Sequence, residues 1–204
     1  MVRGAICGIL PAAVALAVAR ADPDAGIRSP SHTKTSFAKT EQAFFEKSPS
    51  SMPASRVIVC WAGPDGRPAS PTPAEKLVLD DRTWRRRLSP EAYRVTRGRE
   101  TERPFCGGGL DQKEAGLYHC VGCDLPLFAS DAKFNSGTGW PSFFRPFAEE
   151  NLVERTDESH GMLRVEILCV RCDAHLGHVF DDGPPPTGRR YCLNSVALVF
   201  RLKK

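Results

Sequence analysis

Two Cys-x-x-Cys pairs constrain the fold of this chain more than any other feature of its sequence. The first pair is Cys120 and Cys123, and the second is Cys169 and Cys172. Four thiolates on two such turns match the tetrahedral ligand set that Zn²⁺ prefers, and they leave no open position for a catalytic water. We therefore predict a structural zinc ion. Because the pairs lie far apart in the sequence, the intervening chain must fold back so that the metal joins two separate hairpins.

The same cysteines allow a second interpretation, two disulfides or a redox-active Cys-x-x-Cys, which an oxidising compartment would favour. Neither pair has the strand-to-helix context that is typical of a redox motif. The chain has 204 residues, 41% of them hydrophobic, which is enough for a packed core without a disulfide framework. The net charge of +4 is small, and the absence of a long basic run argues against nucleic-acid binding.

The N-terminal part has a different character from the rest. Arg3 precedes an apolar run over residues 5–18, and small residues before position 22 fit a cleavage site, so we predict a targeting segment over 1–21. The run is short for a membrane span. Export to the periplasm or the exterior is expected, with an uncleaved anchor or an organelle presequence as the alternative. Residues 22–75, rich in Ser, Thr, Lys and Pro, are predicted to form a disordered or weakly ordered linker.

Residues 76–204 are predicted to form the folded domain. Two short helices are expected at its start, one capped by Asp80 or Asp81 and one by Ser89. After Gly116 the sequence shows no sustained helical period, and short apolar runs alternate with glycine- and proline-rich turns. This pattern favours a mainly β domain, an antiparallel sandwich or barrel.

Cys192 is a candidate nucleophile once four cysteines are assigned to the metal. It lies at the start of the last apolar run, which we predict to be one strand continuing to Phe200. Alternation along a strand places it on one face with Arg190 and Asn194. A nearby cation favours the thiolate, the nucleophilic form of cysteine. The alternative is an inert core cysteine.

Two histidines and a tryptophan extend the candidate site. His175 and His178 lie three residues apart on a glycine-containing stretch, and either one can polarise a thiol or donate a proton. Trp140 lies in a turn-rich segment that presents an aromatic ring. Each of the three is more often structural when taken alone, so the argument depends on their combination with Cys192.

These motifs together resemble methionine sulfoxide reductase B. The similar segments are both Cys-x-x-Cys pairs and residues 88–96, 101–105, 137–143, 175–184 and 188–195. The resemblance covers about residues 76–202. It implies two antiparallel sheets forming a zinc-stapled domain, zinc away from the active site, and reduction of the R epimer of methionine sulfoxide, free or in oxidised proteins under repair.

The resemblance also implies roles for individual residues. Cys192 would attack the sulfoxide sulfur and become a sulfenic acid, and His178 is favoured as the proton donor. The residues expected to line the site beside the thiol are His175, His178, Arg190 and Asn194. The residues expected to bind the substrate are Trp140, His175 and Phe143.

One departure from the family pattern concerns recycling. Many members have a recycling cysteine where this chain has Thr138. A sulfenic acid is usually reduced by condensing with a second thiol, and Cys106, which three glycines follow, is the best remaining candidate. We predict a Cys106–Cys192 disulfide that a thioredoxin-like partner reduces. The alternative is direct reduction of Cys192 by external thiols.

The sequence alone leaves two other functions possible. A zinc-stabilised β binding module without catalysis would not need Cys192 with Arg190 and Asn194, so their presence argues for an enzyme. A thiol–disulfide enzyme that uses a Cys-x-x-Cys is disfavoured by the strand context of both pairs. A monomer is expected.

Overall fold

The computed structural model describes residues 55–203, and this part of the chain is mainly β. Its two α-helices are α1 (Asp81–Arg87) and α2 (Pro90–Gly98). Its strands are β1 (Arg56–Val59), β2 (Thr72–Glu75), β3 (Gly116–Cys120), β4 (Pro126–Ala129), β5 (Lys133–Phe134), β6 (Ser142–Phe143), β7 (Leu152–Asp157), β8 (Arg164–Cys169), β9 (His175–Phe180), β10 (Arg190–Leu193) and β11 (Leu198–Leu202). Neither described helix is long and apolar enough to cross a membrane. The predicted targeting segment, 1–21, lies outside the described residues.

The described strands form three antiparallel sheets. The largest has six strands in the order β5-β6-β10-β9-β8-β7, the second has the order β11-β3-β4, and the third is the β1–β2 hairpin. The prediction of a mainly β fold with antiparallel sheets and short N-terminal helices is confirmed. None of these sheets closes into a barrel, because the strand order of each one has two free ends.

Both helices begin where side-chain caps predict. Asp80 Oδ1 accepts a hydrogen bond of 2.7 Å from the Thr83 N–H, and Ser89 Oγ accepts one of 3.1 Å from the Ala92 N–H. Such caps satisfy backbone donors that have no partner within the first turn. Helix α1 buries Trp84 in the core and α2 buries Ala92 there, so both helices are part of the β domain.

The β1–β2 hairpin lies inside the 22–75 segment for which a linker was predicted. Val59 is fully buried in the core, and the Cys60 N–H donates to Asn151 Oδ1 at 2.7 Å. Residues 56–59 and 72–75 therefore have regular structure that the composition of the segment did not indicate. The earlier residues of that segment lie outside the described part.

The last apolar run is not one strand, as the sequence predicted, but two. Strand β10 ends at Leu193, a 3₁₀ turn occupies Ser195–Ala197, and β11 joins a different sheet. The predicted alternation is confirmed within β10, where Tyr191 and Leu193 are buried in the core and Cys192 lies on the opposite, partly open face. The interruption therefore places the thiol immediately before a change of sheet.

Candidate active site and metal centre

The two Cys-x-x-Cys turns come together in a buried cluster. The four sulfur atoms lie within 4.8 Å of one another, and Sγ–Sγ distances of 3.5 Å join Cys120 to Cys172 and Cys123 to Cys169. Tetrahedral Zn–S bonds of about 2.3 Å would place sulfurs about 3.8 Å apart, so the cluster has the dimensions of a zinc site. All four cysteines are free rather than disulfide-bonded. The arrangement can bind a metal, as the sequence predicted.

Two arginines brace this cluster through main-chain carbonyls. Arg97 Nη1 donates to Cys172 O at 2.7 Å, and Arg171 Nη1 donates to Cys123 O at 2.8 Å. Each hydrogen bond holds the backbone of one Cys-x-x-Cys turn through an arginine that lies outside that turn. Such outer contacts orient metal ligands, and nearby positive charge favours thiolates.

Cys192 lies on β10 between two neighbouring strands. It faces Ser142 on β6 and His178 on β9. Beside it is a cavity of about 150 Å³. The residues that line this cavity are Thr101, Trp140, Arg164, Gly177, His178, Phe180, Cys192, Leu193 and Asn194. The cavity is smaller than a typical cofactor pocket and suits the end of one side chain.

Gly177 allows β9 and β10 to approach closely at this point. A Cβ atom at residue 177 would lie 2.1 Å from the backbone oxygen of Cys192, and the φ angle there is +154°. Only glycine fits such a contact without displacing the strand that carries the thiol. The close approach of the two strands therefore explains why residue 177, between the two histidines, is glycine. The sequence alone did not explain it.

Arg190 contributes positive charge next to the thiol, but it shares that charge with an aspartate. Its guanidinium binds Asp182 in bidentate fashion at 2.8 and 2.9 Å, and it lies 4.4 Å from the centre of the Phe180 ring. The hydrogen bonds that Arg190 donates to Asp182 raise the pKa of Arg190, and the nearby Cys192 raises it further. Strand alternation places Arg190 and Cys192 on the same face of β10, and Asp182 is a further partner that orients the guanidinium.

His178 is held by an acidic residue that the sequence did not single out. Its Nε2 lies 2.7 Å from Asp157 Oδ2, and Arg164 Nη2 donates to that same oxygen at 2.7 Å. Hydrogen bonds from Ser159 and His178, with the charge of Arg164, hold the pKa of Asp157 well below its usual range. A carboxylate, an imidazole and a thiol thus follow one another across the site, an order that suits proton transfer.

His175 belongs to a second histidine–carboxylate pair, next to that of His178 and Asp157. Its Nδ1 lies 2.8 Å from Glu166 Oε1, and its ring centre is 5.4 Å from that of His178. Burial lowers the pKa of His175, although the Glu166 carboxylate opposes this effect. His175 lines the groove next to the Cys192 cavity rather than the cavity itself. His175, which was expected to bind the substrate, therefore lies beside His178 and outside the cavity that contains Cys192.

Trp140 and Asn194 are held by one residue, Glu102. The Trp140 indole N–H donates to Glu102 O at 3.1 Å, and the Glu102 N–H donates to Asn194 Oδ1 at 3.0 Å. Both side chains line the cavity, as predicted. The sequence contained a signal for Glu102, since it lies in the 101–105 motif that carried the family resemblance, but it suggested no role.

Phe143, predicted to contact the substrate, is a core residue. It is fully buried, and its ring stacks on Phe128 with 4.7 Å between ring centres. It does not line the cavity. The reason is strand alternation, because Ser142 is opposite Cys192 and Phe143 is opposite the buried Tyr191. The assignment of Phe143 to substrate binding is therefore corrected.

Thr138, at the position where the family resemblance led us to expect a recycling cysteine, lies beside the Cys192 thiol. Its Oγ1 is 3.8 Å from Cys192 Sγ and 2.8 Å from Ser136 Oγ. Ser136 Oγ in turn lies 2.7 Å from Ser142 Oγ. The hydroxyl groups of Thr138, Ser136 and Ser142 therefore form a network next to the Cys192 thiol. A recycling cysteine at position 138 would lie at the same place.

Cys106 is exposed on a loop that is anchored on both sides of it. The Phe105 N–H donates to Gly139 O at 2.8 Å, next to Trp140. A Cβ atom on Gly107 would lie 2.0 Å from Ser195 Oγ, so residue 107 packs against the turn that follows Cys192. The loop thus contacts both segments that flank the Cys192 cavity.

These features define a β domain with a buried four-cysteine cluster that can bind a metal and a separate thiol site. Residues 88–202 match the family model of the SelR domain. The chain is 59% identical over 126 residues to the peptide methionine sulfoxide reductase MsrB of Hahella chejuensis, covering 62% of this chain and 91% of that protein. It is 58% identical over 123 residues to the protein of the same name from Thioalkalivibrio sulfidiphilus, covering 60% of this chain and 90% of that protein.

The chain belongs to the SelR, or peptide methionine sulfoxide reductase MsrB, family. The predicted resemblance and the predicted class, an oxidoreductase enzyme, are confirmed. The third relative, from Pseudomonas putida, agrees with 59% identity over 118 residues, which are 58% of this chain and 89% of that protein.

Proposed function

We propose that this protein reduces the R epimer of methionine sulfoxide, free or within oxidised proteins, with Cys192 as the nucleophile. The observation that carries the proposal is the position of Cys192 in a small cavity with Trp140, His178 and Asn194. The family to which the chain belongs has members named for the same activity. The indole provides an apolar wall for a methyl group, and the polar groups surround the oxygen.

In the first step, the Cys192 thiolate attacks the sulfur of the sulfoxide. His178 donates a proton toward the sulfoxide oxygen while Asp157 orients its ring, and Arg190 stabilises the thiolate. The sulfur–oxygen bond of the substrate breaks, and the oxygen is transferred to Cys192. Methionine leaves with its sulfur reduced by two electrons, and Cys192, oxidised by two electrons, becomes a sulfenic acid.

In the second step, the sulfenic acid condenses with Cys106. The Cys106 sulfur attacks the Cys192 sulfur, the sulfenic oxygen leaves as water, and a Cys106–Cys192 disulfide forms. A thioredoxin-like dithiol then reduces this disulfide and is itself oxidised to a disulfide. The exposure of Cys106 and the contacts of its loop with Gly139 and Ser195 support this assignment.

We further propose that the metal centre holds Zn²⁺ through Cys120, Cys123, Cys169 and Cys172. These residues take no part in the thiol chemistry. The ion would join the turn after β3 to the turn after β8, and its binding energy would contribute to folding. For the leader at 1–21 we propose export, in which case the physiological reductant is a dithiol of that compartment. Sequencing the N-terminus of the mature protein tests this.

The nucleophile is tested by Cys192→Ser with N-acetylmethionine R-sulfoxide and S-sulfoxide as separate substrates. The wild-type protein should convert the R epimer to the sulfide with a reductant present, and Cys192→Ser should show no conversion. Cys60→Ser is the matched control, because Cys60 is a buried thiol that donates a hydrogen bond to Ala69 O and does not line the Cys192 cavity. Full activity in Cys192→Ser would overturn the mechanism, and equal rates on both epimers would overturn the stereochemistry.

A further inference from the structure

Glu102 is a buried acidic residue with an unusual set of partners. Only 6% of its surface is exposed, and no lysine, arginine or histidine within residues 55–203 forms an ion pair with it. An isolated carboxylate is costly to bury unless hydrogen bonds satisfy it. Its partners therefore indicate what it does.

The Glu102 carboxylate binds the turn that follows the nucleophile. Oε1 accepts from the Ser195 N–H at 2.6 Å, and Oε2 accepts from the Ser195 hydroxyl at 2.8 Å and from the Val196 N–H at 3.1 Å. These three bonds hold the chain where β10 ends. They stabilise the turn that interrupts the last apolar run after Asn194.

The main chain of Glu102 makes separate contacts with the cavity wall. Its N–H and carbonyl oxygen bind Asn194 and Trp140 as described above. A change of the side chain leaves these two backbone groups in place. The side chain and the backbone of Glu102 can therefore be tested independently.

The loop that carries Cys106 closes directly over the carboxylate. A Cβ atom at residue 107 would lie 2.7 Å from Glu102 Oε1, and the glycine there lets the loop pack against both Glu102 and Ser195. The Glu102 carboxylate thus connects the start of the Cys106 loop with the segment that begins at Ser195, three residues after Cys192. Cys106 lies four residues beyond Glu102 on that loop.

We infer that Glu102 is a positioning residue for the recycling step, which it promotes by holding the Cys106 loop against the turn after Cys192. This inference rests on the proposed condensation of Cys106 with the Cys192 sulfenic acid. In that step a sulfur–sulfur bond forms, the sulfur–oxygen bond of the sulfenic acid breaks, and water leaves. Glu102 exchanges no proton or electron. Its effect is to raise the effective concentration of one thiol near the other.

The test is Glu102→Gln in the full chain, studied in a single turnover without reductant. Quenched samples give methionine by chromatography and the Cys106–Cys192 disulfide by mass spectrometry. The amide retains the shape of the side chain but loses one acceptor oxygen, so it weakens the clamp. We expect disulfide formation to slow about tenfold or more, while methionine formation changes less than about threefold. Glu100→Gln, a surface acid two residues away paired with Arg94, should change neither rate.

Ser195→Ala is the milder variant, and it tests the same inference if Glu102→Gln does not fold. It removes one of the three hydrogen bonds and should slow the disulfide step by about threefold. An unchanged disulfide rate in either folded variant, or parallel slowing of both steps, overturns the inference. A wild-type protein that forms methionine but no disulfide overturns the recycling step itself, and that result comes from the wild type alone.

Discussion

Asn151 and Cys60 exchange two hydrogen bonds of 2.7 Å: the Cys60 N–H donates to Asn151 Oδ1, and Asn151 Nδ2 donates to Cys60 O. The same amide also donates to Pro126 O at 2.7 Å, and the Asn151 carbonyl accepts from Val170 within the second cysteine turn. One buried residue therefore connects the N-terminal hairpin to two other segments: its side chain binds the strand that follows the first cysteine turn, and its main-chain carbonyl binds the second cysteine turn.

Asn151→Ala should destabilise the domain strongly. The change leaves a buried N–H and two buried carbonyl groups without partners, so we expect a loss of about 2–4 kcal/mol in the free energy of unfolding. Urea denaturation measures this quantity. Asn135→Ala is the control, because Asn135 accepts only one exposed turn hydrogen bond, from Gly137. Equal losses in the two variants would mean that the amide of Asn151 has no special structural role.

Features that depend on neighbouring residues were predictable from the sequence. The metal-binding turns follow from the spacing of the cysteines, the helix starts from Asp80 and Ser89, and the face of Cys192 from strand alternation. These signals are local, so they can be read from the sequence without knowledge of the fold.

The features that the sequence did not predict depend on distant contacts. The residue after β1, Cys60, is hydrogen-bonded to Asn151, 91 positions later, and the turn that interrupts the last apolar run is hydrogen-bonded to Glu102, 93 positions before Ser195. The burial of Phe143, which was expected to contact the substrate, follows from the pairing of β6 with β10, and the sequence of β6 alone does not show that pairing. Asp157 shows no local pattern that would connect it with His178.

Cys172→Ser should remove the metal and lower stability. A serine hydroxyl is a poor replacement for a thiolate on Zn²⁺, and structural metal binding contributes to folding. We expect metal content to fall from one zinc per chain to well below that, and Tm to fall by more than about 10 °C. Atomic emission spectroscopy and calorimetry measure the two effects. Cys60→Ser, which keeps a buried hydrogen-bond donor, should retain the metal, and a metal-free wild-type protein would refute the zinc assignment.

Cys106→Ser should separate the two halves of the reaction. The first turnover needs only Cys192, so methionine formation in a single turnover should stay within about threefold of wild type. Turnover with a thioredoxin-like dithiol should be lost, because no disulfide forms for it to reduce. Mass spectrometry should then find a Cys192 sulfenic acid or its adduct with added thiol. Undiminished turnover with the dithiol would show that external thiols reduce Cys192 directly.

Asp157→Asn should reduce the dependence of stability on acid pH. Hydrogen bonds from Ser159 and His178, together with Arg164, hold the folded pKa of Asp157 below its unfolded value of 3.8. A depressed carboxyl pKa contributes stability that is complete above the unfolded pKa and is lost as pH falls through the folded pKa. The wild-type advantage over Asp157→Asn should therefore be largest near about pH 5 and shrink toward about pH 2.

Urea unfolding across that pH range measures the difference in stability between wild type and Asp157→Asn. Asp131→Asn is the control, because Asp131 forms an exposed pair with Arg145 and such pairs contribute little. The same Asp157 variant should also lose activity at neutral pH, since the His178 ring loses the negatively charged partner that orients it. A stability difference that is constant with pH would show that the Asp157 carboxylate is not stabilised by these contacts, and the proposed role of Asp157 in holding His178 would fail with it.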